Sequence, residues 1–218
     1  MNIAAKGSPV QLEELNSVLS SAGLNFTAFE NTENIGLTKF DVIFDLNFDT
    51  QAGSIDSYLN LKTEALLFIG AATIQLHGLI PASLQHQVIG INALPTFLKR
   101  PILEACTLST TIDAIKLAQL GFNQVEWIQS RIGMVSPRIV CMIINEAYFT
   151  LQEGTANKED IDKGMKLGTA YPHGPFEWCN LIGIENVYTI LKGMAEDTHD
   201  ERYKICSLLK TDFLLSSN

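Results

Sequence analysis

The chain has 218 residues, of which 46% are apolar, enough to bury one good core or two small ones. It carries 15 basic residues against 24 acidic ones, a formal net charge of −9 at pH 7. This charge repels phosphate backbones and anionic lipids, which excludes nucleic acids and membrane surfaces as expected partners. No stretch approaches the roughly 18 apolar residues of a membrane span, and residues 1–10 lack a long apolar segment. We therefore expect an unsecreted, cytoplasmic protein.

The four cysteines are far apart in the sequence and form no Cys-x-x-Cys pair. They are Cys106, Cys141, Cys179 and Cys206. Neither the ligand spacing of a metal site nor a disulfide framework is indicated, so we expect no metal cofactor and a reducing compartment.

Strand-like and helix-like segments alternate in the first half of the chain. Apolar residues at helical spacing predict a helix over residues 9–23, with Pro9 near its start and Gly23 as its C-terminal cap. Strands are predicted at residues 2–5, 26–29, 42–48, 66–69, 88–92 and 124–129, and a second helix at 110–120. Strands that alternate with helices favour a parallel sheet covered on both faces, so residues 1–130 are interpreted as an α/β domain.

Residues 131–218 carry no strand signal and are interpreted as an all-α domain. Residues 139–151 are apolar around almost the whole helical circumference, which predicts a central buried helix. Asn157 is placed to cap a second helix that begins at Lys158. Further helices are predicted over residues 176–182, 184–196 and 200–209.

A series of uncommon residues runs in order from Gly133 to Trp178. It comprises Arg138, the triplet Asn145-Glu146-Ala147, the acidic run at 158–162, Lys166-Leu167-Gly168 and the turn YPHGPFE at 171–177. In this order and spacing, the segment resembles the start of the C-terminal helical domain of the 3-hydroxyacyl-CoA dehydrogenases. The resemblance implies a reduced Rossmann-like domain of the NAD-binding type and then a helical dimerisation domain. It also implies a homodimer, NAD as cofactor, an acyl-CoA as ligand and a role in fatty-acid metabolism.

The family's dinucleotide fingerprint, GxGxxG, is degraded in this chain. Its three glycine positions fall on Ala5, Gly7 and Val10, so that Gly7 alone remains to let the backbone approach a pyrophosphate. Glu30 stands at the end of the second predicted strand, where the family has an acidic residue for the ribose. Only residues 31–39 lie between Glu30 and the next strand, so the helical arm that the family uses in CoA recognition has no room.

The family's catalytic segment, GxHFFNPxxxxxLVE, is similar to residues 90–104. Its histidine, the base that takes the hydroxyl proton, falls on Asn92, and its orienting glutamate falls on Glu104, twelve residues later. An amide accepts and donates hydrogen bonds but cannot take up a proton near neutral pH. Glu104 therefore lacks the imidazole that it would orient.

The two substrate-binding positions of the family are also changed. The serine position holds Ala72, with a hydroxyl one residue later on Thr73, and the asparagine position holds Pro137. Two hypotheses follow from this degenerate site. The chain is inactive or altered in the family reaction and pairs with itself or with an active paralogue. Alternatively, it is an active NAD-dependent oxidoreductase that uses Glu104 as its base.

Overall fold

The computed structural model describes residues 1–50, 55–62, 64–109 and 114–216. The chain divides into two compact units, of which the first ends at Met134 and the second begins at Val135.

A mixed sheet forms the centre of the first unit. Its strands are β1 (Ile3–Lys6), β2 (Thr27–Ala28), β3 (Val42–Asp45), β4 (Leu66–Gly70), β5 (Val88–Ile91), β6 (Ile102–Cys106) and β7 (Gln124–Trp127). Among the described residues, the seven strands lie in the order β2-β1-β3-β4-β5-β6-β7. All neighbours are parallel except β5 and β6.

Strand β6 was not among the predicted strands, and its antiparallel pairing with β5 departs from the parallel sheet expected from the sequence. A parallel return needs a crossover of about a dozen residues or more, usually with a helix. Only residues 92–101 separate β5 from β6, and they form turns rather than a helix. The chain therefore comes back in the opposite direction.

Both faces of the sheet are covered, as expected. On one face, helix α1 (Pro9–Ser21) places Leu15 and Leu19 against Phe44 and Phe68. These two rings, on neighbouring strands, stack with centroids 4.6 Å apart. The opposite face buries a second apolar cluster, which includes Ile43, Tyr58, Leu67, Ile69 and Leu76.

Several other elements of this unit are shorter than predicted, among them β3 (Val42–Asp45, predicted at 42–48) and β7 (Gln124–Trp127, predicted at 124–129). The predicted strand at 26–29 is reduced to the two residues of β2, both exposed. Of the helix predicted over 110–120, α2 (Ala114–Gln119) lies within the described residues, and positions 110–113 lie outside them.

The second unit is helical throughout its described part. It contains α3 (Ser136–Gln152), α4 (Lys158–Thr169), α5 (Pro175–Ile182), α6 (Ile184–Thr198) and α7 (Ser207–Ser216). Asn157 caps α4 by accepting the Asp160 N–H at 2.8 Å, as predicted. Helix α3 is not buried on all sides, because Ile139 is 55% exposed.

The last helix begins at Ser207 and not at residue 200. The side chain of Asp200 accepts the Arg202 N–H at 3.0 Å, and this local bond starts a 3₁₀ turn, Glu201–Tyr203, instead. None of the described helices is long and apolar enough to cross a membrane. The described side chains also form no cluster of three or more histidines, cysteines or acidic residues that could hold a metal ion.

Candidate functional site at the carboxyl edge of the sheet

The parallel strands β1, β3, β4 and β5 end at one edge of the sheet, which is the usual ligand-binding edge of such folds. Lys6 and Asp45 end β1 and β3 there, and Asn92 follows β5. Because β6 runs in the opposite direction, it starts at this edge and brings Glu104 to it.

Asn92 and Glu104 are direct neighbours across two strands. The Asn92 N–H donates to the Glu104 carbonyl at 3.1 Å, and this extends the antiparallel register of β5 and β6 by one residue pair. Opposite residues of an antiparallel pair direct their side chains to the same face. Both are buried, with 2% and 9% of their surface exposed. The two positions that the sequence places twelve residues apart therefore lie together in space.

In this pair an amide stands at the position of the family's histidine. The Oδ1 atom of Asn92 is buried without a hydrogen-bond partner among the described residues. The charge of Glu104 acts on Arg100: burial lowers the pKa of that guanidinium, and the carboxylates of Glu104 and Glu14 oppose the shift. Glu104 thus lies in the field of the Arg100 cation.

Thr73 is held in the loop that follows β4. Its hydroxyl donates to the Asp49 carbonyl at 2.8 Å, and its N–H donates to the Asp49 carboxylate at 3.0 Å. Burial raises the pKa of Asp49, and N–H groups of Thr73 and Ala72 oppose that rise. The Thr73 hydroxyl is therefore already used as a donor within the protein, and its neighbour Ala72 has no polar side chain to offer.

The turn between β1 and α1 is closed by a glutamine. The Gln11 side chain accepts the Ser8 N–H at 2.8 Å and donates to the Leu46 and Ala93 carbonyls at 3.0 and 2.7 Å. Ser8 in turn caps α1, so that Ser8 and Gln11 form a capping box. A Cβ at Gly7 would lie 3.1 Å from two side-chain atoms of Leu46.

These contacts test whether the turn fits the NAD that the resemblance implies. A pyrophosphate at such a turn needs free N–H groups and a close approach of the backbone. Here the Ser8 N–H is occupied, Pro9 has none, and the space next to Gly7 is filled. Glu30 is exposed two residues beyond β2, where it could reach a ribose. The residues of the turn nevertheless do not fit a dinucleotide held in the family's way.

Two buried polar groups at this edge escaped the sequence analysis. The Ser8-x-x-Gln11 spacing is a capping-box signature, which would have located Gln11 but not its distant partners. Asp45 is 1% exposed, accepts the Tyr58 hydroxyl at 2.6 Å and lies 3.6 Å from the Lys6 ammonium. Burial, reinforced by the Asp45 charge, raises the pKa of Tyr58. The sequence signal for Asp45 was the presence of an acidic residue within the apolar run V-I-F-D-L.

The chain is similar in sequence to a known enzyme family. Residues 133–216 match the family model described as 3-hydroxyacyl-CoA dehydrogenase, C-terminal domain. The chain carries the C-terminal domain of the 3-hydroxyacyl-CoA dehydrogenase family. It is 35% identical over 156 residues to a 3-hydroxybutyryl-CoA dehydrogenase of Bradyrhizobium diazoefficiens, covering 68% of this chain and 53% of that one. It is 40% identical over 109 residues to the 3-hydroxyadipyl-CoA dehydrogenase of Escherichia coli, covering 50% of this chain and 23% of that one.

The chain spans about half or less of the length of these curated relatives. Among solved structures, it resembles the (S)-3-hydroxybutyryl-CoA dehydrogenase of Ralstonia eutropha, with a TM-score of 0.68 at 17% identity over 99% of this chain and 94% of that one. The likeness establishes the fold, a Rossmann-like domain followed by a helical one.

Proposed function

We propose that this member of the 3-hydroxyacyl-CoA dehydrogenase family does not catalyse the family's NAD-dependent oxidation, and that it acts in the cytoplasm as a non-catalytic pairing protein of fatty-acid metabolism. The observation that carries the proposal is the buried pair of Asn92 and Glu104. It keeps the place of a base and its orienting carboxylate, but an amide stands where the base is required.

The chemistry explains why this change is decisive. Oxidation of a 3-hydroxyacyl thioester requires a group that takes the hydroxyl proton while the hydride leaves, and loss of such a base costs about 10²–10⁴-fold in rate. The hydroxyl of Thr73 is bound to Asp49, so it adds no donor for the substrate oxygen in this arrangement. Catalytic groups act as a unit, so these losses do not compensate one another.

The proposed partners are a second copy of the chain, or an active full-length paralogue, bound through the helical unit. Val135 and Ile139, four residues apart at the start of α3, are 46% and 55% exposed. Residues at this spacing share one helical face, and a partner would cover their apolar surface. An acyl-CoA remains a proposed ligand. The net charge of −9 disfavours nucleic acids and anionic membranes as partners.

The second candidate function is an active oxidoreductase that uses Glu104 as its base. The observation in its favour is the position of this carboxylate, 9% exposed at the ligand-binding edge of the sheet.

Acetoacetyl-CoA-dependent oxidation of NADH by the purified chain separates the two functions. We expect no turnover above that of Glu104→Gln, which serves as the control for contaminating dehydrogenases. Glu13→Gln makes the same chemical change at an exposed position of α1. Turnover that persists in Glu13→Gln and disappears in Glu104→Gln would establish the active enzyme and refute the proposal.

A further inference from the structure

The amide of Gln11 joins the ends of three strands at the point where α1 begins. It binds the Ser8 N–H after β1, the Leu46 carbonyl after β3 and the Ala93 carbonyl after β5. Gln11 itself is 5% exposed, and Leu46 and Ala93 are 1% and 2% exposed. Both N–H groups of the Gln11 amide and its carbonyl oxygen are thus used in hydrogen bonds within the protein.

This is the place where a helix of a βαβ unit offers its positive end to an anion. The first N–H groups of a helix have no partner within it and point outward, towards a phosphate in dinucleotide-binding proteins. In this chain the Gln11 Oε1 atom takes the Ser8 N–H, and the Ser8 hydroxyl oxygen accepts the Gln11 N–H at 3.4 Å. Pro9, between them, supplies no N–H.

We infer that the Gln11 side chain is a built-in occupant of the dinucleotide-phosphate position, which makes the Rossmann-like domain of this chain independent of NAD. A neutral amide suits the position because it can accept from the helix and donate to two carbonyls. A phosphate has only acceptors, so in the same place it would face the oxygens of Leu46 and Ala93. Those two buried carbonyls would then lose their hydrogen bonds, which is unfavourable.

Cofactor binding at this turn does not depend on the loss of the base at Asn92. The space beside Gly7 supports the inference separately, because Leu46 side-chain atoms lie 3.1 Å from the position of an added Cβ. The glycine that the family uses for close approach of the pyrophosphate is here packed against another side chain. The same contacts that exclude the anion tie the three strand ends together.

Titration of the full ¹⁵N-labelled chain with NADH, and separately with inorganic pyrophosphate, tests the inference. We expect no saturable change in the backbone resonances of Gly7, Ser8 and Gln11, or in the Gln11 side-chain amide, up to millimolar concentration. Saturable shifts at these resonances with a Kd below 1 mM would overturn it. Since binding and not turnover is measured, NADH binding without turnover would refute this inference and leave the proposed function standing.

Substitutions then test the role of Gln11 itself. Gln11→Ala removes all three hydrogen bonds of the side chain. Gln11→Glu keeps the shape of the side chain but replaces its NH₂ group with an oxygen that faces the Leu46 and Ala93 carbonyls. We expect the midpoint of thermal unfolding to fall by at least about 3 °C in the first and further in the second, whether or not NADH is present. Gln119→Ala makes the first change at an exposed position of α2 and is expected to have little effect. A Gln11→Ala midpoint equal to that of Gln119→Ala would contradict the inference. The titration of the unsubstituted chain decides the matter if the variants fail to fold.

Discussion

At Gly174, in the helical unit, the neighbouring side chain leaves no room for a larger residue. The Asp162 carboxylate accepts the N–H groups of Phe176 and Glu177 at 2.8 and 3.0 Å and so fixes the start of α5. Asp162 is 8% exposed, and a Cβ at Gly174 would overlap its Cγ. The glycine of the YPHGPFE turn is therefore required for the close approach of a buried carboxylate, although its own φ is −73°.

Gly174→Ala is expected to lower the free energy of unfolding by about 2–3 kcal/mol, because Asp162 must move and its hydrogen bonds to α5 weaken. Gly164→Ala is the matched control, since Gly164 lies on the exposed side of α4 with nothing within 4 Å of an added Cβ. Removing a glycine from a helix interior should raise stability by about 0.5–1 kcal/mol. Urea denaturation of both variants measures the difference, and shifts in the same direction would contradict this account of the turn.

At the scale of elements, one carboxylate links α4 to α5. Glu177 is hydrogen-bonded to the Lys166 ammonium on α4 and accepts the Gly174 N–H at 3.1 Å. The Lys166 bond, followed by the Gly174 N–H, holds the pKa of the Glu177 carboxyl below its usual value. A depressed folded-state pKa contributes stability above the unfolded-state pKa, and this stability is lost as the pH falls through the folded value.

We therefore expect the unfolding temperature of the unsubstituted chain to fall more steeply between pH 6 and pH 3 than that of Glu177→Gln. The amide keeps the size of the side chain but has no charge to lose in acid. Glu146→Gln, at an exposed position of α3, controls for the general effect of removing an acidic residue. Differential scanning calorimetry over this range measures all three proteins. Identical acid profiles for the unsubstituted chain and Glu177→Gln would show that the link contributes nothing.

The elements that the sequence predicted well are those with local signals. Helix α1 follows from Pro9 and the apolar spacing behind it, and α4 follows from the cap at Asn157. Strand β6 was not predicted, and its direction depends on the short path back from β5 and not on its own composition. The seven-residue error in the start of α7 has a local cause, the 3₁₀ turn initiated by Asp200.

The same distinction applies to the candidate site. The proximity of Asn92 and Glu104 could be inferred from the resemblance, which places a base and the glutamate that orients it at these two positions. The closure of the first turn could not, since the Leu46 and Ala93 carbonyls lie 35 and 82 residues from Gln11 in the sequence. Nor could the use of the Thr73 hydroxyl by Asp49, which is 24 residues away. Bonds to a distant backbone leave no pattern in the residues that donate them.

At the scale of the whole molecule, the chain combines a strongly acidic surface with exposed apolar residues on its helical unit. The net charge of −9 opposes indiscriminate association. Exposed apolar side chains such as Ile139 favour a specific contact, because burial of one such side chain contributes about 1.5–3 kcal/mol. In a two-fold symmetric dimer each contact occurs twice, so a modest apolar surface can suffice.

Light scattering on the purified chain should therefore give a dimer mass, twice 24.0 kDa or about 48 kDa. Ile139→Glu is expected to shift the protein towards the monomer, since it would place two charges in the symmetric contact. Ile102→Glu is the matched control, because Ile102 is exposed to a similar extent, 50% against 55%, but lies on β6 of the first unit. A monomer at every concentration would refute self-pairing and leave the active paralogue as the proposed partner. Dissociation by Ile102→Glu and not by Ile139→Glu would instead assign the contact to the sheet domain.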